Sequence, residues 1–245
     1  MLLGRCARCV RMSGNLGHKP RHLGTAMLDA RSAGLGVVVI GNGGHSRSCV
    51  DAWSATCSFQ PIGCTGFDPF EVSEVPYLGT DDELPELLAR GHRHVFVALG
   101  DSAPRERCTK RAVELGFAVH TLVADTAQVA RTAVIGAGAA VLHGAIVGAF
   151  AHVGEGAIIN TGASIDHDCV IGAYSHIAPG THLAGNVEVG AYAMLGVGTS
   201  VVPRVKIGAR AVVGAGAVVI SDIPDGRTVV GVPARSTNLA KGLTL

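Results

Sequence analysis

From Val123 to Val219 an aliphatic residue stands at every sixth position: Val123, Val129, Ile135, Val141, Val147, Val153, Ile159, Ile165, Ile171, Ile177, Leu183, Val189, Leu195, Val201, Ile207, Val213 and Val219. Four residues after each comes a small or β-branched side chain, from Ala127, Ala133 and Ala139 through Cys169, Ser175 and Thr181 to Ile223, and glycine usually follows the aliphatic position. A period of six is not a multiple of the 3.6-residue helical turn, so on a helix these aliphatics would wander around the cylinder. The pattern predicts instead a short strand per hexad with its aliphatic pointing inward, then a corner where the small residue packs. Three corners close one coil. Stacked coils hydrogen-bond through their backbones, which makes the strands parallel and the interior a dry aliphatic column.

Before this region the pattern is different. Val37-Val38-Val39-Ile40 is a β-branched run closed by Gly41-Asn42-Gly43-Gly44, and a helix is expected from about Ser46 to Ala55. Ile62 to Phe67, Val95 to Leu99 and Phe117 to Leu122 read as further strands. Between them, Asp81-Asp82-Glu83-Leu84 opens a helix ending near Gly91, and another runs from about Ala103 to Leu115 and stops at Gly116. Alternating strands and helices imply a small Rossmann-like parallel α/β sheet whose ligand crevice lies at the C-terminal strand ends. The chain thus divides into residues 1–35, an α/β unit over 36–122, the repeat unit over 123–236 and a short tail, 237–245.

Residues 1–35 carry Arg5, Arg8, Arg11, Lys19, Arg21 and Arg31 against the single acid Asp29 and show no sustained apolar periodicity, so they read as a disordered basic arm. A transit peptide, or a start at Met27, gives the same pattern. Cys6-x-x-Cys9 has neither a partner pair nor a strand–helix junction, and reads as part of that arm. Over the whole chain 20 Lys+Arg face 19 Asp+Glu, which argues against a general nucleic-acid or membrane-surface binder and for small-molecule ligands. Seven scattered cysteines and no signal-peptide apolar core point to reduced thiols in the cytoplasm. No apolar run reaches the length needed to span a bilayer. Abundant Gly (34 residues) and scarce aromatics (4%) fit an interior filled by repeated small and β-branched side chains.

With three hexads per coil, residues eighteen apart share a column. His167 follows the inward Ile165 by two places, between Ala149 one coil before and Gly185 one coil after. Small neighbours leave open wall beside the imidazole, and Asp166 or Asp168 can fix its tautomer and raise its basicity, as a general base requires. A solvated surface histidine is the bland alternative. His143, His152, His176 and His182 also face outward or lie at corners. Gly41-Asn42-Gly43-Gly44-His45-Ser46-Arg47, a glycine-rich turn between strand and helix, can cradle a phosphate, but it is not a full G-x-G-x-x-G and gives no support to hydride transfer. Cys169 occupies an inward corner and reads as packing, not as a nucleophile.

Five segments together resemble the NeuD/PglD-type sugar O- and N-acetyltransferases. They are Gly43-Gly44-His45-Ser46-Arg47, Ile159-Asn160-Thr161-Gly162-Ala163, Asp166-His167-Asp168-Cys169, His176-Ile177-Ala178-Pro179-Gly180 and Gly231-Val232-Pro233-Ala234, and the resemblance covers about residues 36 to 236. It implies that the repeat unit is a left-handed parallel β-helix and that the α/β unit binds a nucleotide sugar. It implies His167 as catalytic base, Asp168 as the carboxylate orienting it, Asn160 as an acceptor-site residue, and His176 and Gly185 as acetyl-CoA contacts. Gly43, Gly44 and His45 then lie near the acceptor, and Asp68 is the acidic residue after the second strand, followed by Pro69 where the family has a second acid. Acetyl-CoA is the implied acyl donor and the implied assembly is a homotrimer with CoA between subunits. Some hexapeptide-repeat carbonic anhydrases gather three histidines on zinc, but their His-x-x-x-x-His pair is absent, so no metal is expected. The leading expectation is direct N-acetylation of a nucleotide-linked 4-amino-4,6-dideoxy sugar. O-acetylation of sialic acid or a related sugar, and a non-catalytic nucleotide-sugar-binding scaffold, remain open alternatives.

Overall fold

Parallel pairing at a constant offset organises the molecule. A computed structural model of the chain describes residues 36–53, 57, 59–67 and 74–237. The expected basic arm with Cys6 and Cys9, the end of the first helix at Ala55, Asp68 and the tail beyond residue 237 lie outside the described residues.

The α/β unit contains β1 (Gly36–Ile40), α1 (Gly44–Asp51), β2 (Gln60–Thr65), α2 (Leu84–Ala89), β3 (His94–Val97), α3 (Ser102–Leu115) and β4 (Ala118–Val119). Its four strands are parallel in the order β2-β1-β3-β4. Every residue of β1 is buried because both faces are covered. Val37 and Val39 pack towards α1 and the repeat unit, whereas Val38 and Ile40 pack with Leu84, Leu87 and Ala112 on the opposite side. This is the signature of a doubly covered parallel strand.

Several element ends differ from the sequence expectation. The first helix begins two residues early, at Gly44, because the glycine turn itself enters the helix. The acidic run Asp81–Glu83 forms a 3-10 turn before α2, with Thr80 capping the Asp82 N–H. The expected strand Phe117 to Leu122 is split. Ala118–Val119 finishes the α/β sheet, while Leu122 pairs with Ala140 and already belongs to the coil.

The repeat unit is a parallel β-solenoid of about six turns. Its two-residue strands fall into three sheets, one per face of a triangular prism. His152 pairs with Val134 in the coil before and Val170 in the coil after, an offset of three hexads that holds on all three faces until the last coil, where Val212 pairs with Thr228. The hexad aliphatics from Val141 to Val219 form one continuous core cluster with the corner residues Ala139, Ala145, Ala151, Ala157, Ala163 and their successors. Where a corner residue is polar its hydroxyl meets a carbonyl, as Thr181 does with Gly196 (3.0 Å) and Ser175 with Gly172 (2.8 Å). Val123, expected inside, is 40% exposed, because it lies in the first coil and no earlier coil covers it. Glycine after the aliphatic has a steric cause: a Cβ on Gly172 would stand 2.4 Å from the Ala191 backbone nitrogen of the next coil.

The first prism face, which carries Ala140, Leu142 and Ile158, packs against β1, Phe96 and α1 of the α/β unit. This docking brings the C-terminal ends of β1 and β3 beside one side of the solenoid. Truncating the wholly buried Ile177 to Ala is expected to cost about 2–5 kcal/mol, read as a lower midpoint in chemical denaturation of the full chain.

Candidate active site

His167 lies on the edge where the second face turns into the third, between the strands Ser164–Ile165 and Val170–Ile171. Its side chain is 54% exposed. The column expected from the spacing is present: the Asp168 N–H donates to the Ala149 carbonyl at 2.9 Å and the Asn186 N–H donates to the His167 carbonyl at 2.9 Å. A Cβ on Gly185 would stand 2.5 Å from Nε2 of His167, so the imidazole lies directly over that glycine. Of the two flanking acids, Asp168 receives the imidazole, with Oδ2 at 2.8 Å from Nδ1, while Asp166 Oδ1 accepts the His167 backbone N–H at 2.7 Å. Asp168 adopts a left-handed backbone conformation (φ 58°), tolerated by Asp better than by most residues, and this turn aims its carboxylate back at the ring. A carboxylate only accepts, so in the neutral ring Nδ1 carries the proton and Nε2 holds the lone pair. Hydrogen bonding to Asp168, aided by the charges of Asp166 and Asp168, holds the imidazole pKa above its ordinary value.

A second group forms where the α/β unit meets the first face. His45, in the first turn of α1, and His176, on the first face, have ring centroids 6.1 Å apart. The Asn160 orientation follows by elimination. Its Oδ1 accepts the Thr161 N–H at 2.8 Å, so its amide nitrogen is the group 3.0 Å from Nε2 of His176. That ring nitrogen therefore accepts, and the proton sits on Nδ1 of a ring that also feels the nearby Gly100 backbone. Burial, then Arg105, pulls the His45 pKa down to about 4; burial, then His45 and Arg105, pulls His176 down to about 3. Both are neutral at working pH. The Cys49 Sγ, 3.5 Å from Nε2 of His45, is pushed up to about 12 by burial and stays a thiol. Gly43 is the N-cap of α1 and Gly44 its first residue, so both border this junction.

The expected site residues therefore fall into two groups within one chain. His167, Asp168 and Gly185 are together on one edge; His45, His176 and Asn160 are together where the α/β unit meets the first face, near Gly43 and Gly44. His176 stands apart from Gly185, with which the resemblance pairs it. Asp68 lies outside the described residues. Cys169 is buried with its thiol 3.2 Å from the Ala184 carbonyl, as its corner position implied. Among the described residues no cluster of three or more His, Cys, Asp or Glu side chains is placed to hold a metal, no helix is long and apolar enough to cross a membrane, and the cysteines are free. One residue escaped the sequence reading: Arg105, buried in α3 against both units. Its signal was present in the spacing, since Arg105, Thr109 and Ala112 share the buried helix face at i, i+4 and i+7.

A small parallel α/β unit docked on a hexapeptide solenoid, with an exposed Asp-oriented histidine on the prism edge, defines a hexapeptide-repeat acyltransferase. A family model described as the PglD N-terminal domain matches residues 36–112, and one described as bacterial transferase hexapeptide (six repeats) matches residues 150–185. Among solved structures, PerB from Caulobacter crescentus, in complex with CoA and GDP-perosamine, is 41% identical over 83% of this chain and 97% of its own, with a TM-score of 0.80. The acetyltransferase domain of PglB from Neisseria gonorrhoeae is 34% identical over 83% of this chain and 100% of its own, with a TM-score of 0.77. WeeI from Acinetobacter baumannii is 25% identical over 82% of this chain and 100% of its own, with a TM-score of 0.65. None of the curated proteins matches. The chain belongs to the NeuD/PglD-type sugar acetyltransferase family.

Two outcomes follow from these electrostatics. Replacing Asp168 by Asn removes the acceptor charge that favours imidazolium, so the His167 pKa is expected to fall, measured by NMR titration of the ring protons. His45 and His176 act in the opposite sense. As pH drops from about 6.5 towards about 4, the unfolded chain takes up protons that the folded pair refuses, so stability declines in that window. His176→Gln is expected to flatten the decline in denaturation midpoint relative to the native chain.

Proposed function

We propose that the protein transfers the acetyl group of acetyl-CoA to the amino group of a nucleotide-linked amino sugar, of the 4-amino-4,6-dideoxy type, with His167 as general base. The observation that carries this reading is the exposed His167 imidazole, held through Nδ1 by Asp168 at 2.8 Å so that Nε2 is the nitrogen left beside Gly185. The perosamine N-acetyltransferase structures with CoA and GDP-perosamine and the PglB domain with acetyl coenzyme A support both substrates.

The step is direct. As the sugar amine attacks the thioester carbonyl, His167 Nε2 takes its proton, and a backbone amide near Gly185 steadies the oxyanion. Collapse breaks the carbon–sulfur bond, and the proton leaves with the CoA thiol. No covalent enzyme intermediate is needed. Asp168 raises the base's pKa and so strengthens it as a proton acceptor.

The nucleotide sugar lies against Gly43, Gly44, His45 and Asp68, with Asn160 at the acceptor amine. Asn160 and His176 lie on the first face, where Gly43, Gly44 and His45 border it, whereas His167 lies on the opposite edge of the prism, so the complete site takes its base from one copy and its acceptor residues from the next. A homotrimer with acetyl-CoA between copies, bordered by Gly185 and by the neighbouring copy's first face with His176, satisfies this. Exposed Val134, Ile146, Phe150 and Val170 around the His167 edge give such copies an apolar contact. A CoA co-substrate and scattered cysteines without a pairing framework support a cytoplasmic reaction.

The test is an acceptor screen with acetyl-CoA, following thiol release and the acetyl mass gain on GDP-, UDP- and dTDP-linked amino sugars and on free sialic acids. Turnover with an amino-sugar nucleotide is the expected result; turnover with sialic acid alone would establish O-acetylation. His167→Ala is expected to lower kcat by about 100-fold to about 10,000-fold with the fold unchanged, and full activity in that variant would remove His167 as the base.

A further inference from the structure

Arg105 is 1% exposed, yet all five of its hydrogen bonds go to backbone carbonyls. Two acceptors are in the turn after β3: Leu99 at 2.8 Å and Gly100 at 2.5 Å, both from Nη1. Three are on the solenoid: Gly156 from Nε at 2.7 Å, with Tyr174 at 2.8 Å and Ser175 at 3.4 Å from Nη2. A buried charge is costly unless polar groups replace its water, and here carbonyl dipoles from both units do so. Burial draws its pKa down to about 10, leaving it cationic at neutral pH. Tyr174, which supplies one carbonyl, is itself held at the prism corner by Glu155 (2.8 Å) and by stacking on Tyr192.

The Gly100 carbonyl is shared. It accepts from Arg105 and also faces the His176 ring, whose Nε2 accepts from the Asn160 amide. The guanidinium thus holds the carbonyl that stands beside His176, and His176 in turn meets the Asn160 amide. We propose that Arg105 is a positioning residue for the transfer reaction, bolting the α/β unit to the solenoid and, through the Gly100 carbonyl, holding His176 in the tautomer that orients Asn160 towards the acceptor sugar. This rests on the acceptor role proposed for Asn160. Lysine cannot substitute, since a single ammonium with three donors cannot span five carbonyls on two units.

The experiment uses full-length Arg105→Lys and Arg105→Met. Both are expected to lower kcat/KM for the amino-sugar nucleotide about 10-fold to about 100-fold. Combined with Asn160→Ala, Arg105→Lys should add little further loss, because both act on one element. Nitrogen-15 NMR of the imidazoles should show His176 as a single Nδ1–H tautomer in the parent and a mixture in the variants. Additive losses with Asn160→Ala, an unchanged His176 tautomer, or a uniform fall in every kinetic constant tracking a lower denaturation midpoint would each overturn the proposal. If Arg105→Met does not fold, Arg105→Lys carries the comparison. If the parent acetylates no amino-sugar nucleotide, the functional reading fails and the His176 tautomer decides the Arg105 role independently.

Discussion

The backbone ladder between coils is the constraint on which everything else depends. Each short strand hydrogen-bonds to the same position one coil on, so a residue is held over its counterpart three hexads away. Because the ladder fixes this spacing, side chains in one column must share a fixed height. Small corner residues and glycines after the aliphatics are the steric consequence, and the Gly172 approach to Ala191 leaves no room for a Cβ. The seat of the His167 ring has the same origin, since the imidazole lies over its column neighbour Gly185 and anything larger there would collide with it.

Three histidines near the proposed chemistry show how environment divides one side-chain type into different states. His167 projects from an edge into solvent, where desolvation is small and the hydrogen bond to Asp168 dominates, so its pKa rises. His45 and His176 are enclosed between two folding units beside a buried cation, so desolvation dominates and their pKa values fall. The first arrangement suits a base; the second gives neutral rings with defined donors and acceptors, suited to orienting a polar ligand. Thr161 settles this second arrangement, because its backbone N–H can only donate and so fixes which way the Asn160 amide faces.

The junction between units uses two kinds of interaction with different roles. Val37, Val39 and Phe96 pack against Ala140, Leu142 and Ile158, contributing non-directional burial that is compatible with several orientations. Arg105 adds direction, because its donors are arranged in a planar fork and its acceptors come from both sides. Apolar contact holds the units together, and the guanidinium selects how they sit.

The solenoid was legible in the sequence because the hexad is a local repeat that recurs along one continuous stretch, and every coil imposes the same rule. The column His167–Gly185 and the inward Cys169 followed from counting alone. The α/β unit was legible in element type but not in its ends, where Gly44 entered α1 and Leu122 left the sheet for the coil, since tertiary pairing sets such boundaries. Spacing could not choose between Asp166 and Asp168; the left-handed turn at Asp168 did. Nor could it separate His176 from Gly185 or reveal that Arg105 spans Leu99 and Tyr174, because those contacts join segments far apart in the chain. The amino-acid order determined what repeats and which side chains stack. Only docking of the two units decided which histidines lost their water, because desolvation depends on neighbours that no local pattern encodes.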